Sequence, residues 1–386
     1  MTTFDVIELS GSPRERGVAH GEALADEIAA NVETYLTRFA HEGVAADTAR
    51  EQADEFVPLI ESVNEAYAAE MRGVAEGSGL PLTDVALLNV RYEVIYTAWK
   101  ERTERRAAGE ASVADAGVDG CTSFGVLPSA SADGRTYVGQ NWDWLAPIAE
   151  TIVLARVRRP DAPDHLVFTE AGIVGGKAGV NEHGIGMGIN GLTSPRDGAN
   201  PFRKPIHVRC REVMDAERLD EAMAPIVETH RPASANFMLG SADGVGQGGS
   251  RAGGGEVIDL ETAPERFAHL NPTNGILTHS NHFVDDGIES LTEGRGPSTM
   301  YRAARLRRHL TAERDDGGVT VAGIQAGLRD HFGRPSSVCS HVDESLPEEE
   351  YGQTNASLVI DLDGRRIHAV RGPPCGGEYE TYELAA

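Results

Sequence analysis

DGCTSFGVLPSASADGRTYVGQNWDW, residues 119–144, is where the chain changes texture. Two alternating runs, SFGVL and RTYVGQNWDW, flank the turn signal Asp133-Gly134, which predicts an antiparallel hairpin. If that dipeptide centres the hairpin, partner numbers sum to about 267, so Cys121 and Asp143 fall near matching ends of the two arms. At about 3.3 Å per residue along a strand and about 4.8 Å across, they lie within roughly a dozen ångströms of one another. A thiol at a strand end beside a carboxylate can serve as a nucleophile site. The same two residues also suit a blander reading, a small buried cysteine and a turn-capping aspartate.

Upstream, ERTERRAAGEASVADAGVDG (101–120) is polar and aperiodic and reads as a loop or linker. Before it, Leu24, Ile28, Val32, Leu36 and Phe39 recur at helical spacing within 14–40. Further helical patterns cover about 48–76, ending at GSGLP, and 82–100, which opens on Thr83 or Asp84 as a cap. Downstream of Cys121 the pattern is short strands: TIVLARVRR, HLVFTEAG, GVNEHGIGMGIN, ANFMLGSADG, EVIDLET and a closing hairpin SLVIDLDGRRIHAV. Helical patterns interrupt them at 205–230 and 298–330, and GVGQGGSRAGGG reads as a turn. Strand blocks between helix blocks predict a layered α+β fold with mainly antiparallel sheets.

Composition bounds the rest. Hydrophobic residues at 40% and charged ones at 25% are globular values, and no run reaches membrane-span length. MTTFDVIELS lacks a signal-peptide layout, so the sequence reads as a soluble, cytoplasmic protein. The net charge of −25 repels nucleic acid and anionic membranes. Lys100, Lys177 and Lys204 are the only lysines, and an acidic, lysine-poor surface resembles that of proteins from salt-loving organisms, although a GC-rich genome also replaces Lys with Arg.

The cysteines Cys121, Cys210, Cys339 and Cys375 are far apart in sequence and form no CxxC pair, which argues against a zinc ribbon or a thioredoxin-type site. THSNHFVDD holds His279 and His282 near Asp285 and Asp286, a metallohydrolase alternative that lacks the i, i+4 pair zinc prefers on a helix. GRPSS (333–337) and GGSRAGGG (248–255) lack the phosphate-loop arrangement and read as turns.

DGCTSF with GQNWDW resembles the acyl-coenzyme A:6-aminopenicillanic acid acyltransferase family of cysteine N-terminal-nucleophile (Ntn) hydrolases. The likeness extends to HGEAL (20–24), AEGSGLPLTDVALLNVRYE (75–93), GVNEHGIGMGIN (179–190), ASANFMLGSADG (233–244), THSNHF (278–283) and GPPCGGEYE (372–380), in the family's order. GVNEHGIGMGIN and QNWDW also resemble blocks of choloylglycine hydrolases and acid ceramidases. The resemblance implies an Ntn-type four-layer αββα sandwich. It further implies that the chain cuts itself at Gly120–Cys121, leaving 1–120 as a helical short chain and 121–386 as the catalytic chain of one structural domain.

On that resemblance Cys121 becomes both nucleophile and base. Its new α-amine has an ordinary pKa of about 7.7–8.0 and can take the thiol proton near neutrality. Gly120, lacking a Cβ, tolerates a strained backbone at the point of attack. Asp143 holds the α-amine, Asn190 and Asn236 match oxyanion-binding asparagines, and Ser298 and Arg302 match a region near the cysteine. Gln140 stands where bile-salt-type relatives carry arginine, which points to the acyltransferase branch. The expected reaction is acyl transfer through a Cys121 thioester, from an amide or acyl thioester to water or an amine. No cofactor is implied, acyl-CoA is a candidate cosubstrate without a motif of its own, and no nucleic acid or membrane partner is expected. A non-catalytic binding protein that keeps the fold is the remaining alternative.

Overall fold

The computed structural model describes residues 3–107, 120–242, 254–291 and 296–385, with backbone alone for 102–107. Helices dominate the first hundred residues, but each expected helical region is broken once. The 14–40 pattern splits into α1 (Pro13–Ala23) and α2 (Ala25–His41) at Leu24, whose φ of −133° is not helical. The 48–76 pattern splits into α3 (Ala46–Val63) and α4 (Glu65–Ser78) at Asn64, whose side chain caps α4 by accepting from the Tyr67 amide. The third region divides at Val90 into α5 (Leu82–Asn89) and α6 (Arg91–Ala107). Helix α6 therefore takes in the start of the polar 101–120 stretch, because Glu, Arg and Ala are good helix formers even without an apolar face. Residues 108–119 of that stretch, and most of the glycine-rich turn, lie outside the described residues.

Four glycines explain two of the sequence blocks. Gly17 and Gly21 on α1 face Gly73 and Gly77 on α4, backbone against backbone. A Cβ on Gly17 would sit 2.0 Å from the Glu70 carbonyl oxygen, and one on Gly77 2.2 Å from that of Val18. Only glycine lets two helices approach so closely.

The strands, in chain order, are β1 (Val6–Ser10), β2 (Thr122–Val126), β3 (Tyr137–Leu145), β4 (Ile152–Arg158), β5 (His165–Glu170), β6 (Ala178–Asn181), β7 (Ile185–Gly191), β8 (Ala235–Ser241), β9 (Glu256–Thr262), β10 (Phe267–Leu270), β11 (Ile276–His279), β12 (Gly352–Asp361), β13 (Arg366–Arg371) and β14 (Glu380–Glu383). They form an eight-stranded sheet, β1-β4-β5-β6-β7-β8-β9-β10, and a six-stranded sheet, β11-β2-β3-β12-β13-β14. Every pairing is antiparallel except β1 with β4. The short, half-exposed β1 is too brief for its alternation to stand out in the sequence.

The sheets pack face to face. A Cβ on Gly125 of β2 would lie 2.2 Å from Val257 of β9, and one on Gly188 of β7 would lie 2.5 Å from Gln140 Oε1 on β3. The N-terminal helices, with α7 (Ile206–Met214) and α8 (Leu219–Val227), cover the outer face of the larger sheet and share its core. On the far side, α9 (Thr299–Asp315) and α10 (Val321–Leu328) close a second core over the smaller sheet, with Phe124, Tyr137, Leu306, Leu310, Ile324 and Val359. This is the four-layer αββα sandwich that the resemblance implied. Residues before and after Gly120 build one core together. Among the described residues, no helix is long and apolar enough to cross a membrane.

Candidate active site

β2 and β3 are buried at every position, so the hairpin lies in the interior of the sandwich. Its register differs from the one centred on Asp133-Gly134: Thr122 pairs with Asn141, not with Leu145. The connecting loop is held to other parts of the chain, with Leu127 N bonded to the Gly275 carbonyl and Ala132 N to that of Val319, so the turn signal bends the loop without setting the pairing. Continued by two residues, the observed register sets Gly120 across from Asp143.

That juxtaposition is close. A Cβ on Gly120 would come within 2.9 Å of Asp143 Oδ2, so the carboxylate lies against the Gly120 α-carbon. Cys121 is 2% exposed, and its thiol points to the Asp143 carbonyl oxygen at 3.7 Å. The other carboxylate oxygen, Oδ1, accepts from the Thr354 hydroxyl at 2.6 Å, and that hydroxyl accepts from the Ser340 amide at 2.9 Å. A donor relay from β12 thus fixes the orientation of Asp143.

Arg302 approaches from α9 and is 1% exposed. Its Nη1 donates to the Gly120 carbonyl oxygen, to the Cys121 carbonyl at 2.6 Å and to the Thr122 hydroxyl at 2.8 Å. Its Nη2 donates to Asn281 Oδ1 at 2.9 Å and its Nε to Ser298 Oγ at 3.2 Å. Asn281 is tied down in turn, with its backbone amide on Thr299 Oγ1 and its side-chain amide on the Gly191 carbonyl. Sequence reading placed Arg302 and Ser298 in this neighbourhood, and the structure puts Arg302 beside the Gly120–Cys121 bond with Ser298 one hydrogen bond behind it. It missed Asn281, Thr354 and Ser340; Asn281 at least lay inside THSNHF.

Asn190 joins the group through β2. Its amide Nδ2 donates to Ser123 Oγ at 3.0 Å and to the Ser280 carbonyl at 2.9 Å, which engages both amide hydrogens. Asn236 pairs in register with Asn190 and so sits one strand farther away. Its amide faces Asp259 and favours the ionised carboxyl there, yet it falls short of full hydrogen-bond geometry. Burial dominates at Asp259 and pushes its carboxyl up to about 7. Gln140 Oε1 accepts from the Ile189 amide at 2.7 Å.

The two histidines of THSNHF have other work. His279 contacts Glu261 Oε1 through Nε2 at 2.7 Å and the Ser280 carbonyl through Nδ1 at 2.8 Å. With Glu261 ionised, both partners are acceptors, so the ring carries two protons. Burial opposes that charge, but Asp259 and Glu261 outweigh it and raise the His279 pKa. His282 Nδ1 meets Thr299 Oγ1 at 2.9 Å. Among the described residues this pair gathers no set of metal ligands with Asp285 or Asp286.

The chain is similar to several known proteins. The sequence model of the acyl-coenzyme A:6-aminopenicillanic acid acyl-transferase family matches residues 130–372. The 40 kDa form of the acyl-coenzyme A:6-aminopenicillanic-acid-acyltransferase of Emericella nidulans is 26% identical over 378 residues, covering 95% of this chain and 92% of that protein. Among solved structures, a Caenorhabditis elegans ortholog of N-acylethanolamine-hydrolyzing acid amidase is similar at TM-score 0.44 and 15% identity, over 63% of this chain and 93% of that one. A single-residue variant of the conjugated bile acid hydrolase of Clostridium perfringens is similar at TM-score 0.44 and 13% identity, over 68% of this chain and 97% of that one.

Proposed function

The chain belongs to the acyl-coenzyme A:6-aminopenicillanic acid acyl-transferase family, and from that premise we propose that it is a self-processing cysteine acyltransferase or amide hydrolase whose nucleophile is Cys121. The observation that carries this reading is the convergence on one peptide bond. Arg302 donates to the Gly120 carbonyl oxygen while the Asp143 carboxylate flanks the Gly120 α-carbon.

In the uncut chain, Cys121 Sγ attacks the Gly120 carbonyl carbon. Negative charge grows on the oxygen that Arg302 already contacts, and such a donor is worth about 2.7–4 kcal/mol. The thiol proton passes to the leaving Cys121 nitrogen, with Asp143 standing where it can relay it. The C–N bond breaks, a thioester to Gly120 remains, and water hydrolyses it to release the Gly120 carboxylate. Cys121 is then an N-terminal residue with a free amine.

The same groups serve turnover. The α-amine takes the thiol proton, Asp143 holds the resulting ammonium by a charge-assisted hydrogen bond, and Thr354 keeps that carboxylate aimed. The thiolate attacks an amide or acyl thioester and forms an acyl-Cys121 thioester, which water or an amine resolves. Asn190 takes the oxyanion role by exchanging Ser123 for the substrate oxygen, and Asn236 supports it from the adjacent strand. Acyl-CoA is an acyl donor compatible with this chemistry.

The test is intact mass under denaturing conditions, for the natural chain and for Cys121→Ala. Two species meeting at Gly120–Cys121, replaced by one in the variant, are expected. A variant that still splits there would assign the cut to an outside protease. A natural chain that never splits would favour the fold kept for binding.

A further inference from the structure

Behind Asp143, three side chains of the 331–341 segment meet a cysteine from a later turn. His331, Cys339, His341 and Cys375 have ligand atoms all within 4.8 Å of one another. His341 Nε2 lies 3.5 Å from Cys339 Sγ, 3.5 Å from Cys375 Sγ and 3.2 Å from His331 Nε2. A ring nitrogen carries one hydrogen or one lone pair, so hydrogen bonding explains one of these three contacts at most. A tetrahedral metal explains all of them. With about 2.3 Å to sulfur and about 2.05 Å to nitrogen, tetrahedral angles give edges of about 3.6 Å for N to S and about 3.4 Å for N to N.

We propose that His331, Cys339, His341 and Cys375 form a Cys2His2 site for a tetrahedral soft divalent cation, zinc by its ligand set. The donors select against magnesium and calcium, which take oxygen, and four protein ligands leave no open position, so the site is structural. The backbone is built to present them. Cys339 N donates to the Asp330 carbonyl and His341 N to that of Pro335, which folds 330–341 into a closed loop. Arg329 Nε and Nη2 bind the Pro374 and Gly377 carbonyls and hold the turn that carries Cys375 beside that loop.

The ion fastens the 330–341 loop to the 374–377 turn. Between two of its ligands lies Ser340, whose amide donates to the Thr354 hydroxyl that in turn donates to Asp143. The metal therefore braces the support of Asp143 without touching the reacting atoms. Spacing in sequence argued against zinc because no CxxC pair exists; here the second cysteine arrives from a separate turn near the C-terminus.

The experiment uses the full chain, purified without chelator, with metal content measured directly and Co2+ as a spectroscopic probe. One zinc per chain is expected, and the cobalt form is expected to show a thiolate charge-transfer band and strong tetrahedral d–d bands. Cys375→Ser and His331→Ala, both at exposed positions, should keep the fold and weaken Co2+ binding by more than the roughly 10–100-fold that a lost outer partner costs. Absence of both zinc and the cobalt bands would overturn the proposal, as would variants that bind metal as well as the natural chain. A protein lighter by two hydrogens, with Cys339 and Cys375 lost from the thiol count, would replace the metal by a disulfide.

Discussion

Arg302 holds the carbonyl oxygen of Gly120, and the same Nη1 also reaches the carbonyl of Cys121. One cation thus spans both peptide carbonyls around the proposed cut. A guanidinium buried to 1% exposure is costly to place without acceptors that use its hydrogens. Here five acceptors use them, and one of the five, the Gly120 oxygen, is where charge grows in the proposed cut.

The first prediction concerns that cation. Arg302→Gln should slow the appearance of two chains by about 10²–10³-fold, the cost of one lost oxyanion donor. Ser298→Ala removes only the Nε partner, which does not touch the Gly120 oxygen, and should slow it less than Arg302→Gln does. The half-time of splitting on denaturing gels, taken beside thermal midpoints, is the measurement. Equal rates in Arg302→Gln and the natural chain would leave the arginine a structural role alone.

Asp143→Asn keeps the shape and still accepts from Thr354 but removes the charge that holds an ammonium. Turnover of an amide substrate by already-processed enzyme should fall by about 10²–10⁴-fold, the range for a mispositioned general base. Thr354→Val should cost less, because the carboxylate stays and only its aim is lost. Kinetics and melting curves measured together decide the matter, and a loss of stability that matches the loss of turnover would demote Asp143 to a strut.

Much of this was legible before the fold was known, and the exceptions have physical causes. The helix and strand texture followed from periodicity, and the family blocks brought Cys121, Asp143, Asn190, Ser298 and Arg302 into one proposal. The hairpin register was not legible, because the loop from Leu127 to Thr136 is set by bonds to Gly275, Val319 and Asp363. Thr354 gave no signal because its part depends on a partner 211 residues away. The breaks at Leu24, Asn64 and Val90 fall within continuous apolar patterns, where helix and hinge look alike. The HGEAL block carries a likeness in sequence, but the reason for its glycine lies in α4, whose backbone packs against Gly21.

After processing, the two chains should stay together. Arg91 on the N-terminal side pairs with Glu170 at 2.6 Å, both fully buried, and Tyr35 donates to the same carboxylate at 2.6 Å. Glu70 receives Arg211 from the other side of the cut at 3.0 Å, and β1 is paired to β4 within the sheet. Size exclusion in native buffer should show one complex and in urea two chains. Glu170→Ala strands Arg91 and Lys177 in the core and should destabilise the complex by about 3–5 kcal/mol, read as a lower urea midpoint. Chains that separate without denaturant would show that these pairs do not hold the complex.

Acid should weaken that complex through buried neutral histidines. His20 Nε2 accepts from the Gly172 amide, which requires an unprotonated nitrogen, and burial chiefly lowers its pKa from 6.5 to about 4. The unfolded chain therefore takes up this proton first as pH falls, so stability is intact above about 6.5 and is lost on the way down to about 4. At about 1.4 kcal/mol per pH unit the loss comes to about 3 kcal/mol. Burial likewise lowers His165 and His207, which steepens the same limb. His279 is raised, so the stability it contributes is fully present below about 6.5 and is lost as pH rises above that, outside the window of His20. His20→Gln keeps an acceptor for Gly172 without a titrating group. Urea midpoints measured from pH 7 to pH 4 should fall less steeply for the variant, by the equivalent of one proton. Parallel curves would mean that His20 takes up its proton in the fold at the same pH as in the unfolded chain, so that the Gly172 bond does not hold the ring neutral.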